Sequence, residues 1–161
     1  MPFLYRLSSQ HTLSIQQLRH TLQLIVTKHQ SLRTSLIFDT EKNLLMQRII
    51  GLNNDNNKLF EFFESTFDTD EQLHATMHEE KRNPQLFDLA HGLVFRCHIL
   101  HYKEISATDI LSDKDVLIFN FHHAMFDFPS INVFLYDLNQ AYTTGLLPNN
   151  DDTALRYLDC K

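Results

Sequence analysis

At 161 residues, 43% hydrophobic and 11% aromatic, the chain can form one domain that buries roughly 70% of its unfolded surface. A net charge of −6 with no Lys/Arg stripe argues against nucleic acid, and no apolar run approaches the ~18 residues of a membrane-spanning helix. Cys97 and Cys160 are too few and too far apart for a disulfide framework or a zinc site, and the opening Met-Pro-Phe-Leu-Tyr-Arg has no signal-peptide pattern, so a reducing cytoplasm is the default location.

Residues 3–8 read as a strand. Ser14 and Gln17 form a capping box flanked by Leu13 and Leu18, and the helix that follows runs to about His29. Its Ile15, Leu18, Leu22, Ile25 and Val26 share one face. Thr34–Asp39 and Leu44–Ile50 predict a hairpin around Thr40-Glu41-Lys42-Asn43. Asn53–Asn57 is a polar loop, and Leu59–Phe63 is a short apolar segment, strand or helical turn. Thr69–Arg82 predicts an acidic, exposed helix that stops near Asn83-Pro84. Gln85–Gly92 reads as a loop, Leu93–Tyr102 as a long strand, and Lys103–Lys114 as a polar connection. Val116–Phe121 is an apolar run suited to a strand buried on both faces. Ile131, Phe134, Leu135, Leu138 and Tyr142 then recur at helical spacing, and a loop follows at Leu146–Asp152.

The chemistry concentrates between that last strand and helix, in Phe121-His122-His123-Ala124-Met125-Phe126-Asp127-Phe128-Pro129-Ser130. Strand ends that turn into helices are where α/β sheets bind ligands. An imidazole there suits proton transfer near neutral pH. The bland alternative is a polar cluster that satisfies its own hydrogen bonds beneath a surface loop.

His122, His123 and Asp127 resemble the H-H-x-x-x-D-G signature of the condensation domains of nonribosomal peptide synthetases, within the chloramphenicol acetyltransferase-like fold family. Three further segments match in the family's order. Lys28-His29-Gln30-Ser31-Leu32-Arg33-Thr34 resembles R-H-x-x-L-R-T. Phe87-Asp88-Leu89-Ala90-His91-Gly92-Leu93-Val94-Phe95-Arg96 resembles F-D-L-x-x-G-P-L-x-R, and Tyr157-Leu158-Asp159 resembles Y-x-D. The resemblance spans nearly all of the chain. It implies a single domain over residues 1–161, similar to the N-terminal half of a condensation domain and incomplete at both ends. The implied fold is an α/β two-layer sandwich, a mixed sheet packed against the helices at 14–29 and 131–143.

The same resemblance implies acyl transfer from a carrier-bound thioester to an amine or hydroxyl acceptor, giving an amide or ester. His123 is then the catalytic base. Strand alternation would turn His122 toward the core, where it orients the loop. Asp127 could orient the imidazole as in a triad; the family pattern implies instead an ion pair with Arg33, or failing that Arg96, that holds the loop in shape. Phe128 departs from the pattern, because it replaces the signature glycine and places a ring beside the channel. No oxyanion donor can be assigned. The implied partners are carrier-protein domains, which present substrates on phosphopantetheine, and the missing C-terminal half. No directly bound cofactor is implied.

His74 and His78 are four apart on the acidic helix but lack a third ligand, so no metal site is expected. His98 and His101 fall on opposite faces of a strand. Glu61, Glu64, Asp68, Asp70, Glu71, Glu79 and Glu80 read most simply as a solvated face. Three functions follow: half of a condensation-type acyltransferase, inactive in isolation; a noncatalytic, degenerate binding module; or an isolated fragment. They predict, in turn, an exposed His123 beside a channel mouth, a Phe128 that plugs the mouth, and a large apolar surface prone to self-association.

Overall fold

The computed structural model describes residues 1–8, 11–52, 58–105 and 107–147. The expected loop at Asn53–Asn57, the Tyr157-Leu158-Asp159 match and the loop beyond Leu147 lie outside the described residues. In chain order the elements are β1 (Pro2–Arg6), β2 (Leu13–Ser14), α1 (Ile15–Lys28), β3 (Thr34–Asp39), β4 (Leu44–Ile49), β5 (Glu61–Phe67), α2 (Asp70–Arg82), β6 (Phe95–Tyr102), β7 (Ile110–Leu111), β8 (Val116–Phe121) and α3 (Ser130–Thr144).

The main sheet has the order β1-β8-β6-β5. β8 pairs antiparallel with both β1 and β6, while β5 lies parallel to β6, so the sheet is mixed. β8 is therefore interior, and all six of its residues are buried. Alternation divides its side chains between two faces. Leu117, Phe119 and Phe121 join Phe95, Cys97 and Ile99 in a core closed by Leu18, Leu22 and Ile25 of α1 and Ile131 and Phe134 of α3. Val116, Ile118 and Leu100 point the other way, onto Leu73 and Met77 of α2. The first core is rich in aromatic contacts: Phe121 stacks on Phe126 at 3.8 Å and on Phe95 at 4.8 Å, with Phe134 edge-on at 5.0 Å. Burying each such ring contributes about 1.5–3 kcal/mol.

α1 starts where the capping pattern places it, with Ser14 Oγ accepting from the Gln17 amide at 3.1 Å. The reciprocal half of the box is redirected: Gln17 Nε2 donates to the Tyr142 carbonyl, and the Ser14 amide donates to the Tyr142 hydroxyl, tying α1 to α3. Asp109 accepts from the Gln16 amide, and β7 pairs with β2, so the polar connection at 103–114 carries a cap and a strand. β5 resolves the ambiguous segment at 59–63 as a strand that starts two residues later, at Glu61.

α2 is not simply exposed. Leu73 and Glu80 are buried, and the acidic stretch is only partly a solvated face. Glu61 pairs with Arg96, Glu64 Oε2 with His101 Nε2 at 2.8 Å, and Glu80 with His98. The hairpin β3–β4 forms a separate two-stranded sheet that leaves Phe38, Leu44, Leu45 and Met46 exposed.

Candidate functional site

β8 delivers the histidines. The His122 amide still donates to the Val94 carbonyl at 2.9 Å, extending the β6 side of the sheet by one step. A turn then closes with the Met125 amide on the His122 carbonyl at 3.0 Å. Because the strand has ended, alternation no longer applies, and the expected turning of His122 to the core is corrected. The two imidazoles stack on each other with centroids 4.7 Å apart. His122 is half-buried, its ring edge-on to Phe87 at 5.4 Å, while His123 is exposed. His122 Nδ1 accepts from the Ala124 amide at 3.2 Å, which leaves the proton of the neutral ring on Nε2. Burial, then the neighbouring His123 and the N-terminal ammonium, pull the His122 pKa below its ordinary value.

His123 lines a cleft of about 660 Å³. Met1, Pro2 and Phe3 of the β1 end, Met77, His78 and Lys81 of α2, and Phe128 form the rest of its wall. Phe128 is 71% exposed and leans on Phe3 at 6.0 Å. A plug would be buried, so its ring is wall rather than stopper. It does not take the positive φ that a glycine would permit.

The expected Asp127–arginine pair is also corrected. Among the described residues Asp127 takes neither arginine. It accepts from the Ser130 amide at 3.0 Å and from the Ser130 hydroxyl, and those two bonds hold its carboxyl below the usual range. An aspartate three residues ahead of an orphan helix amide is a ready cap, and Pro129 supplies none to α3. Arg33 is buried and turned away, donating to the carbonyls of Ile50 and Thr27. Arg96 is held by Glu61 and Glu80 and lies over the Phe63 ring at 4.6 Å. Asp127 makes no bond to His123 either, so stacking on His122 is what orients the outer ring.

A polar cluster beneath the cleft was not foreseen. Glu80 of α2 is buried; its carboxylate accepts from Asn120 Nδ2 at 2.7 Å and sits 3.0 Å from His98 Nδ1 and 3.5 Å from Arg96 Nη2. Burial alone would raise its pKa, but His98, Asn120 and Arg96 more than offset that and hold it low. His98 Nε2 completes the chain to Ser65 Oγ at 2.7 Å. Asn120 Oδ1 accepts from the N-terminal ammonium at 3.1 Å. The cluster thus locks α2, β1 and β8 together two or three residues before the histidines. The signal was present in Arg96 and His98, polar side chains two apart and so on one face of a buried strand. Among the described residues no group of His, Cys, Asp and Glu could hold a metal ion.

The family model described as "Condensation domain" matches residues 4–158. The chain belongs to the condensation-domain family. It is 30% identical over 147 residues to surfactin synthase subunit 1 of Bacillus subtilis, a match that covers 91% of this chain and 4% of that protein. Among solved structures it is similar to the epimerization domain from the third module of tyrocidine synthetase B, with a TM-score of 0.71, 19% identity, and coverage of 93% of this chain and 32% of that one. The X-domain from teicoplanin biosynthesis is similar with a TM-score of 0.69 and 25% identity, over 99% of this chain and 31% of that one. The chain therefore spans about a third of the solved condensation-type chains it matches.

Proposed function

We propose that the chain is the histidine-bearing part of a condensation-type acyltransferase that joins a carrier-bound acyl thioester to an amine or hydroxyl acceptor. One observation carries the reading: His123 stands exposed on the wall of an apolar-edged cleft, at the end of the central strand, in a chain of this family. In this reading the neutral His123 ring accepts the acceptor's proton as the nucleophile attacks the thioester carbonyl. His122, with its proton fixed on Nε2 and its charged form disfavoured, keeps the stacked pair from becoming doubly cationic. Asp127 holds the loop through Ser130, and Phe128 narrows the cleft on the acyl side. Catalysis needs the rest of a condensation domain, which would supply the opposite wall and the oxyanion donors. Carrier-protein domains would bring the substrates on phosphopantetheine.

The second reading, a noncatalytic module, is favoured by one feature, the ring of Phe128 where the signature has glycine. A full-length protein that contains this region separates the two. With an aminoacyl or acyl carrier thioester and a free amine as acceptor, His123→Ala should abolish most turnover while the fold, followed by circular dichroism, stays intact. Phe128→Gly should widen the range of accepted acyl chains. Unchanged turnover in His123→Ala would remove the base from the mechanism, and no turnover with any donor would leave the noncatalytic module standing.

A further inference from the structure

A second cleft, of about 610 Å³, lies between the β3–β4 hairpin and the turn at residues 88–92, and shares no lining residue with the His123 cleft. Three cationic side chains reach it: Arg33, Arg48 and Lys58. The hairpin register places Ser35 opposite Arg48, so both belong to the face that meets the cleft. On the other side the turn comes close. Gly92 has φ +74°, and a Cβ there would meet Ile50 Cγ1 at 2.8 Å and the Ser35 amide nitrogen at 3.4 Å.

Among the described residues the charges lining this cleft are out of balance. Asp88 is the one carboxylate among those lining residues, and it is taken by the ring and the amide of His91 at 2.8 and 3.1 Å. Lys58 is paired with Glu61 at 3.0 Å. Arg33 and Arg48 have no carboxylate partner among the described residues. Arg33 is only 8% exposed, its terminal nitrogens donate to neutral carbonyls, and its buried Nε has no hydrogen-bond partner among the described residues. A buried cation that meets only neutral acceptors is costly, and a counter-anion offsets that cost. Burial accordingly pulls the Arg33 pKa down.

We propose that this cleft is an anion site for a phosphate-class group, held by Arg33 and Arg48 with Lys58 at its rim. Guanidinium forks match the oxygens of phosphate two at a time, whereas an exposed Lys adds charge with little geometry. Dianionic and monoanionic phosphate would be held by the same groups. A phosphomonoester and a phosphodiester are therefore the two sources to be told apart.

The test is calorimetric titration of the protein with inorganic phosphate and, separately, with dimethyl phosphate, at constant ionic strength in chloride. Saturable one-to-one binding is expected, with phosphate raising the melting temperature of the wild type. Arg48→Ala, at an exposed position, should weaken binding on the order of tenfold and remove the thermal shift, and Lys58→Ala should weaken it a few-fold. Asp88→Asn should tighten it. Arg33→Lys keeps the charge without the fork, and its loss of affinity tests the buried arginine without deleting a cation. Dimethyl phosphate binding more tightly than phosphate favours a diester as the natural occupant; phosphate binding more tightly favours a monoester. Two results would overturn the site. One is affinity in Arg48→Ala within twofold of wild type. The other is the absence of saturable phosphate binding by the wild type.

Discussion

Replacing Glu80 with alanine tests whether the cluster under the His123 cleft holds it together. The substitution leaves His98 Nδ1 without its buried carboxylate, Asn120 with only the backbone carbonyl of residue 80, and Arg96 with Glu61 and the Leu86 carbonyl. Removing one member of a buried charge cluster costs about 3–5 kcal/mol, because the remaining polar groups stay desolvated and unpaired. For a domain of this size each kcal/mol moves the midpoint by about 2–4 °C, so the melting temperature should fall by about 6–20 °C. Glu80→Gln keeps the volume and one acceptor oxygen, and should lose roughly half as much. The assay is thermal and urea unfolding by far-ultraviolet circular dichroism, with the urea slope checked for two-state behaviour. The carboxyl is held low in the folded chain, so it contributes stability fully above its ordinary value of 4.5, and that contribution is lost as pH falls through the lower folded value. Wild type should therefore lose stability in that acid range more steeply than Glu80→Gln. A cost below about 1 kcal/mol for Glu80→Ala, or parallel acid profiles for wild type and Glu80→Gln, would refute the reasoning.

Gly92→Ala forces a β-carbon into a positive-φ position against Ile50, and should cost about 1–3 kcal/mol in urea unfolding. Asp137→Asn breaks the buried contacts of Asp137 with Lys28 at 2.9 Å and His29 at 2.6 Å, where the end of α1 meets α3, and should cost about 1.5–3 kcal/mol in the same assay. His122, with its pKa below the ordinary 6.5, contributes stability fully above that pH, and loses it as pH falls toward the folded value. Melting temperatures at about pH 7.5 and about pH 5.5 should therefore differ more in wild type than in His122→Gln.

Much of the framework was legible because hydrophobic periodicity is a local signal. The face Ile15, Leu18, Leu22, Ile25 and Val26 is buried as read, and the continuous apolar run at 116–121 is an interior strand. β5 was harder, since its residues are all half-buried except Thr66 and Phe67, as befits an edge strand flanked by a helix. Glu61, Glu64 and Glu80 misled for a different reason. Composition shows a block of acids, but only the register of β5 on β6 and the pitch of α2 put three of them against Arg96, His101 and His98.

The loop at 122–130 shows where a motif stops carrying geometry. Its residue types singled out this loop, and His123 does stand on a cleft. Side-chain partners are another matter, because they depend on which competitor is nearest. Asp127 has an orphan helix amide and a hydroxyl within reach at Ser130, close in the chain and entropically cheap to engage. Arg33 is held instead by the carbonyls of Ile50 and Thr27. The same competition explains the stacked imidazoles: the turn that closes on His122 ends the strand's alternation one residue before it would have separated the rings. The capped loop and the uncompensated arginine are therefore two consequences of one local choice. Asp127→Ala should for that reason unsettle the start of α3 and leave the surroundings of Arg33 unchanged, which ¹⁵N chemical shifts of Ser130 and of the Arg33 Nε would report separately. A shift at the Arg33 Nε as large as that at Ser130 would show that the two residues face each other after all.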